Sequence, residues 1–128
     1  MKYLLYLLFI LPVFIDACQS GITPNTNIVF PASNVSFQQQ VYPFLKLTCS
    51  YEGCHSGSSP DISAITEYST VINSEYLGLV IPYNPNSSRL YQTVNNPNVQ
   101  HLPYVPMAIN DNQKKGIYTW INEGAKNN

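Results

Sequence analysis

Three side chains in one short stretch carry the clearest chemistry in this chain. Cys49 and Cys54 are separated by four residues, and His55 follows the second cysteine directly. Two thiols followed at once by an imidazole can attach a haem covalently with the histidine as iron ligand, bind a metal ion, or close a local disulfide. The only other cysteine is Cys18, and the only other histidine is His101.

The totals narrow the choice. At 128 residues the chain holds one domain at most. With its leader and tether set aside, roughly ninety residues remain to fold, a size at which a hydrophobic core alone is marginal and a cofactor or crosslink adds stability. A formal net charge of -1 offers no basic field for phosphates, so nucleic acid is disfavoured and not expected as a partner. Only 10% of residues are charged, while ten tyrosines and ten prolines make a polar, turn-rich chain of the kind that is exported.

Residues 1–17 read as a secretory signal: Lys2, the apolar run Leu4 to Ile15, then a small residue ahead of Cys18. That run falls short of the about 20 apolar residues a membrane-spanning helix needs. The stretch Ile15-Asp16-Ala17-Cys18 resembles a bacterial lipobox, although Asp16 stands where a small or hydroxyl residue is usual. The resemblance implies that Cys18 becomes the lipidated first residue of an exported lipoprotein, held on a membrane surface and facing the periplasm or the cell exterior. The alternative is an ordinary signal peptide with a leftover thiol. Residues 18–35, rich in Ser, Thr, Asn and Pro, read as a flexible tether, and the domain proper is expected over 36–128. The sequons at Asn34 and Asn86 are taken as accidental in a bacterial lipoprotein.

The elements that must position the cysteine stretch are helical. Ser36 and Gln39 have the form of a capping box, and Phe37, Val41, Phe44 and Leu45 recur at helical spacing into Cys49. Pro43 should kink this helix or shift its start. A second short helix is capped by Asp61 or Ser63 and runs to about Asn73, with Tyr68, Val71 and Ile72 inward. The segment Gly78 to Pro82 reads as extended, and Asn84 to Ser87 as a turn into a helix bearing Leu90, Tyr91 and Val94. Pro97, Pro103 and Pro106 hold the segment Asn95 to Ile109 irregular, and it carries His101 and Met107. Asn110 with Gln113 caps a last helix whose stripe is Ile117, Trp120 and Ile121 and whose stop is Gly124.

The order of these features resembles the small single-haem cytochrome c domains of bacterial lipoproteins, including the planctomycete-type cytochromes c, some of which use the Cys-x4-Cys-His spacing. The matching pieces are Val41-Tyr42-Pro43-Phe44-Leu45, the run Ile81-Pro82 with Asn84-Pro85-Asn86-Ser87-Ser88-Arg89-Leu90-Tyr91, and Trp120-Ile121-Asn122-Glu123-Gly124-Ala125. The resemblance implies an all-α fold, a small helical bundle around one covalently bound haem c. It implies Cys49 and Cys54 as the thioether residues and His55 as the proximal iron ligand. Such domains place a methionine before a proline ahead of the last helix, where this chain has Leu102-Pro103. Met107, the one methionine left after the signal is removed, is the expected distal ligand, and His101 is the alternative. Arg89, the only arginine, is either a haem propionate contact or a solvated helix residue. Trp120 and Tyr91 are expected to pack around the cofactor.

The function so implied is electron transfer with redox partner proteins, not enzyme catalysis, since a filled sixth position leaves no open site for a substrate. The alternatives are a zinc-binding module built on Cys49, Cys54, His55 and His101, or a surface lipoprotein with a Cys49–Cys54 disulfide.

Overall fold

A computed structural model describes residues 27–50, 55, 65, 67–73, 78–96 and 109–128. Among these residues all regular structure is helical. A π-helical turn, Phe37–Val41, runs straight into α1 (Tyr42–Thr48); α2 spans Tyr68–Asn73; a 3-10 turn, Pro85–Ser87, leads into α3 (Arg89–Asn95); and α4 spans Asp111–Asn122. No helix among them is long and apolar enough to cross a membrane.

The first helix begins differently from the Ser36–Gln39 box. The Ser36 hydroxyl does accept from the Gln39 amide at 3.2 Å. The return bond, however, comes from the Gln40 side chain, whose oxygen accepts from the Ser36 amide at 3.0 Å. The Val41 amide reaches back five residues to the Ser36 carbonyl, so the first turn is one residue wider than an α-turn. Pro43 explains the widening. Its missing N–H interrupts the ladder where the π-helical turn passes into α1, and the wider turn ahead accommodates its ring.

Helix α4 is the central element and follows its sequence signals closely. Asn110 and Gln113 form a reciprocal capping box, with bonds of 3.0 and 3.1 Å. Ile117, Trp120 and Ile121 are all buried. The helix ends in a Schellman motif: the Ala125 amide donates to Trp120 and the Gly124 amide to Ile121, with Gly124 at φ +99° and Ala125 at φ +51°. It packs against α3, the 3-10 turn and the π-helical turn.

The rings of Phe37 and Trp120 lie 5.7 Å apart, and Tyr68 meets Phe37 edge-on at 5.2 Å. The polar handles of these aromatics are satisfied at the end of α4. Trp120 Nε1–H donates to the Lys126 carbonyl and the Tyr68 hydroxyl to the Ala125 carbonyl. Val71 is buried and Ile72 packs against the core, as the inward face of α2 requires; the expected caps Asp61 and Ser63 lie outside the described residues.

The segment expected as extended, Gly78 to Pro82, forms no strand. It turns, and docks against the start of α3 through the Gly78 and Leu79 carbonyls, which accept from the Arg89 and Leu90 amides. Ser88, fully buried, fastens the far side by accepting from the Ile81 amide at 2.8 Å and donating to the Asn84 carbonyl at 2.9 Å.

Packing also reaches further toward the N-terminus than the expected domain start at Ser36. Phe30 and Val35, placed in the tether by sequence, are 3% and 2% exposed. The Phe30 amide donates to Asn112 Oδ1 at 2.8 Å, and the Asn112 side chain returns a bond to the Phe30 carbonyl at 3.0 Å. The ring lies where α4 carries Gly116: a Cβ there would come within 2.0 Å of it. A helix glycine thus makes the slot that the phenylalanine fills.

Candidate functional site

The cysteine stretch begins where α1 ends. Phe44 and Leu45 are fully buried and anchor the last turn. The Cys49 amide donates to the Leu45 carbonyl at 2.9 Å, and the Ser50 amide donates to the same oxygen at 3.1 Å. The chain leaves the helix here, with Cys49 half-buried at the margin of the core cluster.

His55 returns to the same place. Its amide donates to the Cys49 carbonyl at 3.3 Å, and its carbonyl accepts from the Ser50 hydroxyl at 3.2 Å. The loop between Cys49 and His55 is therefore closed at its neck by two hydrogen bonds, one on each side of the histidine. His55 is half-buried and its Nδ1 atom is buried. An iron ligand at this position would bind through Nε2, with the buried nitrogen turned toward protein.

Of the residues expected at the site, Cys49 and His55 are thus brought together. Arg89 is the first residue of α3 and is exposed, which suits a solvated residue and leaves its side chain open to an anionic group. Cys54, His101 and Met107 lie outside the described residues, as does Cys18. Among the described residues no three of His, Cys, Asp and Glu gather to hold a metal ion.

Ser50 is the site residue that sequence reasoning missed. Its only sequence signal is a hydroxyl directly after the first cysteine, and serine is too common in loops for that to stand out.

Comparison with protein families, with curated proteins and with solved structures gave no match.

Proposed function

We propose that the chain is a c-type cytochrome, an electron carrier with one covalent haem, anchored to a bacterial membrane surface through a lipidated Cys18 and serving redox partner proteins. The observation that carries this reading is the closed neck of the cysteine loop. Covalent attachment needs two sulfurs and an imidazole delivered to one porphyrin edge, and a four-residue spacer makes that delivery less automatic than a two-residue one. The bonds from His55 to the Cys49 carbonyl and from Ser50 to the His55 carbonyl return the histidine to the first cysteine despite the longer spacer.

What further supports the reading is that Cys49 and His55 are both half-buried and that Cys49 packs against the apolar core, a setting in which a haem would be partly sheltered from water. Cys49 and Cys54 would carry the thioether bonds, His55 would hold the iron from one side, and Met107 on the proline-rich segment would hold it from the other, with His101 as the alternative. When bound, the haem supplies one-electron exchange between ferrous and ferric iron. The protein's share is ligation, burial and restriction of water.

The test is expression with a cytochrome c maturation system, a denaturing gel stained for covalent haem, and a reduced absorption spectrum. Staining of the intact chain, weakened by Cys49→Ala or Cys54→Ala and lost when both are replaced, is the expected result. No staining, with a disulfide joining Cys49 to Cys54 by mass spectrometry, would replace the cytochrome by the disulfide-stabilised lipoprotein.

A further inference from the structure

We propose that Ser50 is a positioning residue for His55, fixing the Cα–Cβ direction from which the imidazole departs through the hydrogen bond from its hydroxyl to the His55 carbonyl. The role in iron ligation rests on the cytochrome reading; the positioning itself rests on geometry.

A loop's freedom grows with its length, so four residues between the cysteines leave the following histidine less determined than two would. The bond between the His55 amide and the Cys49 carbonyl fixes one side of the residue but still allows its peptide plane to swing. The bond from the Ser50 hydroxyl, at 3.2 Å, holds the other side. With amide and carbonyl both held, the Cα–Cβ direction of His55 is set relative to α1.

Ser50 can do this because it is itself held. Its amide donates to the Leu45 carbonyl at 3.1 Å, and Leu45 is fully buried. A chain of contacts thus runs from the core through Leu45 and Ser50 to the histidine backbone, independent of the second cysteine. Any side chain lacking the hydroxyl breaks that chain at one bond while leaving the helix end intact.

The experiment uses the full chain, matured with haem, as wild type, Ser50→Ala, and the pair Ser50→Thr and Ser50→Val. Threonine and valine share a shape and differ in the hydroxyl, so their comparison holds even if alanine disturbs folding. The readouts are hydrogen exchange of the His55 amide, the ferric ligation spectrum and the reduction potential. In Ser50→Ala and Ser50→Val we expect covalent haem to be retained and the His55 amide to exchange about fivefold faster, the loss of one modest hydrogen bond. A high-spin ferric fraction should appear and the potential should shift, with Ser50→Thr restoring both. A faster amide with unchanged spectrum and potential would make Ser50 a loop brace and overturn the positioning of the ligand. Equal exchange in the threonine and valine chains would overturn the contact itself. If no chain carries haem, the cytochrome reading falls and the ligand-positioning role falls with it, while amide exchange still decides separately whether Ser50 braces the His55 backbone.

Discussion

Glu123 ties the two ends of the described structure together with one carboxylate. Its oxygens accept from the Asn34 amide at 2.7 Å and the Val35 amide at 3.0 Å, while Asn34 turns through φ +54° to present both. Hydrogen bonds to an ionised acceptor are among the stronger ones in a protein. Glu123→Ala is therefore expected to lower unfolding stability by about 1–3 kcal/mol, read as a reduced urea midpoint at unchanged slope. Glu123→Gln, which keeps one acceptor, should lose less. The proposed haem ligands give a second residue-level expectation. Met107→Ala should abolish the distal-ligand signature in the ferric spectrum, and His101→Ala should leave it in place. The reverse pattern would transfer the role to His101. The contrast between these residues shows what a sequence makes legible. Cys49, Cys54 and His55 stand out in the sequence because the attachment chemistry proposed for them depends on neighbours a few positions away. Glu123 is silent because its partners lie 88 and 89 residues distant and are backbone amides, which no side-chain pattern advertises.

At the scale of elements, α4 was readable for the same local reason: cap, stripe and terminal glycine lie within sixteen consecutive residues, Asn110 to Ala125. The start of the first helix was not fully readable. Ser36, Gln39 and Gln40 all offer the right groups, and only the turn widened ahead of Pro43 selects Gln40 as the reciprocal partner. The packing of residues 28–35 was hidden further, since Val35 stands alone among polar residues and Ile28-Val29-Phe30 is too short a run to set a period. Their signal lies elsewhere, in a glycine at position 116 inside an otherwise regular helix. This can be tested directly. Alanine normally favours a helix over glycine by about 1 kcal/mol. At Gly116, however, its Cβ would lie 2.0 to 2.4 Å from atoms of Phe30, including that residue's own Cβ, so the segment must move. Overpacking of this kind costs typically about 1–3 kcal/mol. Gly116→Ala is expected to lower the melting temperature by several degrees, and to do so less when combined with Phe30→Gly, which removes both the ring and the Cβ from the slot. A gain in stability from the single substitution would show that Phe30 is not seated on α4.

Among the described residues an aromatic core is combined with a polar, sparsely charged surface. One ion pair is present among the described residues, Lys114 with Asp111 at 3.6 Å, with the aspartate fully exposed, and such a pair contributes little. Val29 and Tyr83, 70% and 71% exposed, add apolar area to that surface. Removal of residues 1–17 would take away Lys2 and Asp16 together, so the formal net charge would stay at -1 after such processing. Electrostatic steering raises association rates by about 10 to 10³ where a strong field of one sign surrounds the site, and that gain collapses as salt rises. A molecule of this composition has little such field to lose. If it carries electrons, its encounters must depend on short-range fit of polar and apolar surface, which salt affects weakly. The haem-loaded protein is accordingly expected to exchange electrons with small anionic and cationic reagents at rates that change less than about tenfold between low and physiological ionic strength, in stopped-flow measurements. A steeper dependence, opposite in sign for the two reagents, would mean that charges cluster around the exposed haem edge, and that partner choice is made at a distance rather than on contact.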